Sequence, residues 1–83
     1  MGYKIFADTS WFKGLIDNKD GFHEQAIELL ERINVEENDL ITTNFIIDET
    51  FTLLRQRCPK ERVKEFYDLI GEMSKLTIVR VGV

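Results

Sequence analysis

Cysteine, histidine and proline are nearly missing from this chain, with one of each in 83 residues. Cys58 has no partner for an internal disulfide, and a lone His23 leaves no Cys/His spacing for structural zinc. No apolar run reaches the roughly 18–20 residues of a membrane span. The N-terminus opens on a strand pattern where a signal peptide would carry a basic region and an apolar stretch. A reducing cytoplasm and no membrane contact are the expectation. Repeats, low-complexity tracts and Gly/Pro/Ser linkers are absent as well, which predicts one domain over residues 1–83. A strong excess of one charge is also lacking: 11 Lys and Arg face 15 Asp and Glu, a net charge of -4. That balance excludes a general polycation coating nucleic acid or an anionic membrane.

Apolar material is what the chain does have. Hydrophobic residues make up 43% of it, and 28 positions are Leu, Ile, Val or Phe, more than a disordered chain carries. At this size only about 60–65% of the unfolded surface becomes buried, so the core is thin and each packing contact matters. Charge is unevenly spread. Residues 1–33 hold six acids and four bases, 34–49 five acids and no base, and 50–83 four acids and seven bases.

Periodicity predicts the order of elements. Tyr3 to Ala7 is a short buried strand ending at Asp8. Thr9 and Ser10 are N-cap types before Trp11, Phe12, Leu15 and Ile16, a short helix weakened by Gly14. The run 17–21 is a turn. From Asp20, the residues Phe22, Ala26, Leu29, Leu30 and Ile33 recur at helical spacing. A polar break over 36–39 precedes a second strand, Leu40 to Thr42. Ile47, Phe51, Leu54 and Cys58 mark a third helix that Pro59 stops while starting the next. Val63, Phe66, Tyr67, Ile70 and Met73 give that fourth helix its core stripe, and Leu76 to Val81 is a third strand. The order β-α-α-β-α-α-β predicts an α/β three-layer sandwich on a parallel sheet with right-handed crossovers.

In such sheets function gathers at the carboxyl ends of the strands. Asp8 ends the first strand there, where packing does not call for a carboxylate. A plain helix cap accounts for it equally well, and Thr9 and Ser10 share that ambiguity. Asp48 and Glu49 follow the second strand but lie about 100° apart on their helix, so they cannot share one stripe. Asp48 is expected on a solvated face, and Glu49 borders the apolar stripe. His23, without a positioned partner, is expected to pack or cap. Arg55, Arg57, Lys60, Arg62 and Lys64 form a basic cluster able to steer a phosphate backbone, and a solvated surface explains it as readily.

Three fragments together carry a likeness: Ile5-Phe6-Ala7-Asp8-Thr9-Ser10, His23-Glu24-Gln25-Ala26, and Thr43 through Glu49 followed by Leu53-Leu54-Arg55. In their order and spacing the chain resembles the PIN-domain ribonucleases, including the toxins of VapBC toxin-antitoxin pairs. The resemblance implies a cluster of acids binding Mg²⁺ or Mn²⁺ and hydrolysing RNA. Asp8 and Glu49 would be the metal-binding and catalytic acids, Ser10, Thr9 and Asn44 neighbours of the site, and Arg55 and Arg57 RNA-steering cations. Partners implied are RNA and an antitoxin protein. Hard divalent cations do prefer oxygen ligands, so the chemistry agrees.

The family's third and fourth acids follow the third strand, and no residue here matches them. Its first strand is central in the sheet, whereas here it is expected at an edge, open to pairing with another chain. The resemblance therefore leads to the N-terminal half of a PIN-like fold, incomplete or inactive as an enzyme by itself. That half would stand alone, join a copy of itself or a separate C-terminal half, or be a decayed remnant. The competing reading is a non-catalytic α/β module that homodimerises or pairs with such a half. A third is an unrelated α/β regulatory domain in which Asp8 is only a cap.

Overall fold

A computed structural model describes residues 4–33 and 38–82. Its elements run β1 (Lys4–Phe6), α1 (Thr9–Ile16), α2 (His23–Ile33), β2 (Asp39–Thr43), α3 (Asn44–Arg57), α4 (Lys60–Glu72) and β3 (Leu76–Val79). This is the order that periodicity predicts, with ends shifted by one or two residues. Tyr3, Glu36 and Glu37 lie outside the described residues. The sheet is parallel, in the order β1-β2-β3, so β1 is an edge strand of the described sheet.

Strand alternation separates two faces of unequal burial. Ile5 pairs in register with Leu40, and Leu40 with Leu76. Leu40 and Thr42 are buried on this face together with Ala7. The opposite face carries Lys4, Phe6, Asp39, Ile41 and Val79, and there Phe6 is 60% exposed.

The core centres on aromatic rings from three helices. Phe12 and Phe66 are fully buried and meet edge to face at 5.2 Å, and Phe66 meets Phe51 in the same way at 4.9 Å. Leu54, Ile47 and Met73 fill the space around them. Tyr67 departs from the expected stripe. It is 66% exposed, because Phe66, Ile70 and Met73 already supply the buried line of α4 and position 67 lies about 100° from position 66.

Gly14 is a contact point between α1 and α2. A Cβ there would stand 3.0 Å from the Ala26 Cβ and 3.1 Å from the Phe22 Cδ2. Two hydrogen bonds need the same close approach. The Trp11 indole N–H donates to the Ala26 carbonyl at 3.2 Å, and His23 Nδ1 lies 2.6 Å from the Gly14 carbonyl. Gly14→Ala gains about 1 kcal/mol of helix propensity against about 1–3 kcal/mol of overpacking. We expect a net loss of about 1 kcal/mol by urea denaturation, and a gain in stability would show that the helices part freely.

Candidate functional site at the strand ends

Two helices start from the carboxyl ends of neighbouring strands. The Ala7 N–H donates to the Ile41 carbonyl at 2.8 Å, and the buried Thr42 hydroxyl donates to the Ala7 carbonyl at 2.9 Å. This locks β1 to β2 one residue before Asp8. Asp8 is the N-cap of α1, its Oδ1 accepting the Trp11 N–H at 3.0 Å. Thr9 and Ser10 are helical residues, not the cap. Thr43 caps α3 by accepting the Ile46 N–H at 3.2 Å.

Asn44 ties the third strand end to this region. Its side-chain oxygen accepts the Val81 N–H at 2.7 Å, and its amide nitrogen lies 3.5 Å from the Val81 carbonyl. Segments leaving all three strands therefore meet around the starts of α1 and α3. Polar side chains make two of these junctions, so the geometry depends on Thr42 and Asn44 as well as on packing.

Asp8 and Ser10 line one cleft of about 390 Å³, walled by Ile5, Phe6, Trp11 and Leu29. Thr9 and Ser10 line another of about 380 Å³ with Lys13 and Asp20. Glu49 borders neither. It is exposed on α3, six residues beyond Thr43 and so about 9 Å along the helix. It makes no hydrogen bond or ion pair among the described residues. Asp48, its neighbour, lines a separate groove between α3 and α4. No group of three or more His, Cys, Asp or Glu side chains able to hold a metal ion occurs among the described residues.

Charges behind α1 are mutually satisfied. Lys13 reaches Asp20 at 2.5 Å and Asp17 at 3.3 Å. The hydrogen bond to Asp20 holds Lys13 above its ordinary value, and the same bond holds the Asp20 carboxyl below its own. Burial pushes Asp17 up, but hydrogen bonds from the Lys19 N–H and Lys13 outweigh it and the net shift is downward. Burial first, then the Asp17 charge, raise the Cys58 thiol, which disfavours a thiolate. His23 takes a structural place: a carbonyl can only accept, so Nδ1 donates to Gly14 and the ring joins α2 to α1.

The basic cluster is split. Arg55 lies over the Phe51 ring at 5.5 Å and lines the α3–α4 groove with Lys60 and Lys64. Arg57 and Arg62 line a cavity of about 200 Å³ with Lys19 and Cys58, beside the C-termini of α1 and α3. Helix direction separates that cavity from the strand ends, because α1 and α3 begin there and run away from them. Sequence reasoning missed the Asn44–Val81 junction and the exposure of Tyr67. An Asn directly after an N-cap was the only signal for the first, and it names no partner 37 residues away.

No family model matches this sequence, and no curated protein matches it. Among solved structures the chain is similar to Mycobacterium tuberculosis VapC20, described as a sarcin-ricin loop cleaving toxin, with a TM-score of 0.79 and 24% identity. The match covers 95% of this chain and 58% of that one, so this chain spans little more than half the length of VapC20. At such identity the likeness is one of fold. No described helix is long and apolar enough to cross a membrane. From β1 to β3, this chain has a VapC-like PIN fold.

Proposed function

We propose that this chain provides two acids, Asp8 and Glu49, to a divalent-metal-dependent endoribonuclease centre of the PIN/VapC type. The observation that carries the reading is the pair of helices starting at adjacent parallel strand ends, Asp8 capping the first and Glu49 lying on the second, in a fold shared with an RNA-cleaving toxin.

The donor chemistry fits in kind. Mg²⁺ keeps several waters and is commonly held by one or two carboxylates together with substrate phosphate. Asp8 spends Oδ1 on the Trp11 N–H and retains its other carboxylate oxygen, while Glu49 is exposed. These two residues would hold the ion. Bound there, it supplies an acidified water and neutralises charge on the leaving oxygen. The Trp11 N–H fixes the orientation of the Asp8 carboxyl. Ser10 and Thr9 place hydroxyls beside it for the RNA backbone. Asn44 holds the chain after β3 against the start of α3, and Arg55 contributes attraction for phosphate, with Arg57 at the far end of α3 adding only its long-range charge. An antitoxin protein and a cytoplasmic setting belong to the same reading.

RNA cleavage by the protein with Mn²⁺ present tests the reading. The double variant Asp8→Asn, Glu49→Gln is expected to lose cleavage while remaining folded. Cleavage that survives in it places the nuclease elsewhere.

A second reading has its own observation. β1 is an edge strand, Phe6 is 60% exposed on it, and Leu29 beside the same cleft is 41% exposed. An apolar edge of this kind invites strand addition, by a second copy or by a separate chain carrying the rest of the fold. Sedimentation across concentrations separates the two outcomes: a monomer throughout removes the self-association reading.

A further inference from the structure

Helices α3 and α4 enclose an open groove of about 860 Å³ away from the strand-end site. Its wall on α3 is Phe51, whose ring is seated edge to face on Phe66 at 4.9 Å and thereby on the core. The Arg55 guanidinium lies over that ring at 5.5 Å, with no acid partner among the described residues. The wall on α4 presents Lys60, Lys64 and Tyr67, at helical steps of four and three that put them along one edge. Lys60 also lacks an acid partner among the described residues. Lys64 is paired with Asp68 at 2.9 Å, in an exposed contact that solvent weakens.

Two features of this groove call for a ligand with both charge and rings. The first is local charge. Three cations face Asp48 and Asp68, a positive excess in a protein whose net charge is -4. The second is Tyr67, which apolar periodicity assigns to the core and which stands 66% exposed on the α4 wall of the groove, one turn beyond Lys64. An exposed aromatic ring in a groove that also presents Lys and Arg is the surface that single-stranded nucleic acid uses, bases stacking on the ring and phosphates meeting the cations. An acidic protein segment would engage the charges but leave the ring without a stacking partner.

We propose that the α3–α4 groove binds a stretch of single-stranded RNA, with one base on Tyr67 and phosphates on Arg55 and Lys60. The assignment rests on the ribonuclease reading for its purpose and deepens it. Asp48, at the end of the groove, directly precedes Glu49, and Arg55 lies about 9 Å from Glu49 along α3. A strand held in the groove would be delivered toward the start of α3, where the cleaving centre is proposed.

The test is fluorescence anisotropy with a labelled 12-nucleotide oligouridine in EDTA at low salt, so that binding is read without cleavage. Wild-type protein is expected to bind. Tyr67→Ala should weaken it by roughly tenfold, the loss of one stacked base, and Tyr67→Phe should restore it. Lys60→Gln should reduce the slope of log affinity against log salt by about one. Both sites are exposed, and unchanged thermal melting confirms that the variants fold. Binding in EDTA does not draw on the metal centre, so a failure of the nuclease centre, read by cleavage, and a failure of the groove, read by anisotropy, are separated. No oligouridine binding by the wild type overturns the proposal, as does affinity unchanged in both Tyr67→Ala and Lys60→Gln. Self-association lost in Tyr67→Ala with RNA affinity intact also overturns it, assigning the groove to a second copy.

Discussion

Replacing Phe66 with alanine is expected to remove most of the stability of this domain. The ring is fully buried and meets two others, Phe12 at 5.2 Å and Phe51 at 4.9 Å, both edge to face. Truncating a buried Phe costs about 3–5 kcal/mol from lost transfer free energy and the cavity left behind. Each lost aromatic pair adds about 0.5–1.5 kcal/mol beyond area burial, so the upper end of that range applies. A chain of this length has roughly 4–12 kcal/mol in all. The rings also link α1, α3 and α4. Urea denaturation of Phe66→Ala and Phe66→Leu measures this. Leucine fills much of the volume but makes no ring contact, so it should fall between wild type and alanine. A loss under about 1.5 kcal/mol in Phe66→Ala would show that α4 is not anchored through this ring.

The second large effect concerns Asp8, whose observed cap and proposed metal-ligand role separate by substitution. As N-cap it accepts the Trp11 N–H through Oδ1, a task that asparagine performs equally well. As a metal ligand it must be a charged oxygen donor, which asparagine is not. Asp8→Asn should therefore melt close to wild type yet lose RNA cleavage, whereas Asp8→Ala should also lose about 1 kcal/mol of stability with the cap. If Asp8→Asn cleaves RNA as wild type does, the carboxylate is a cap and nothing more. Glu49→Gln has no capping role to confound it. Its side chain is exposed and makes no hydrogen bond or ion pair among the described residues, so stability should not move.

Much of the fold could be read from periodicity because parallel strands and amphipathic helices write different repeats. Ile5 and Ala7 alternate with Lys4 and Phe6, while Ile47, Phe51, Leu54 and Cys58 step by four, three and four. Where the reading went astray, a tertiary contact decided between local options. Gly14 looks like a weak point in a helix and is instead the place where Ala26 approaches, a fact held 12 residues away. Tyr67 fits an apolar stripe, but Phe66 already fills the site that α4 offers to the core. Thr9 and Ser10 are capping types, yet Asp8 reaches the Trp11 N–H first.

The candidate site was legible only in part. The end of a strand and the start of a helix can be located from pattern, which is how Asp8 and Thr43 stand out. Which side chains then face one another depends on register and crossover packing, and periodicity carries neither. Asn44 illustrates this: its amide meets Val81, and the hydrogen bonds join the ends of two elements that nothing in the local sequence pairs. The basic cluster is a second case. Arg55 and Arg57 are two positions apart, yet a helix sends them to different cavities.

Calorimetric titration with Mn²⁺ of the wild-type protein, Asp8→Asn and Glu49→Gln bears most directly on a shared divalent ion at these two acids. The wild type is expected to bind one ion, and each variant to bind it at least roughly tenfold more weakly, about 1.4 kcal/mol, with melting unchanged in the absence of metal. Wild-type protein that takes up no Mn²⁺, or variants that bind as tightly as it does, would contradict a metal centre built on positions 8 and 49.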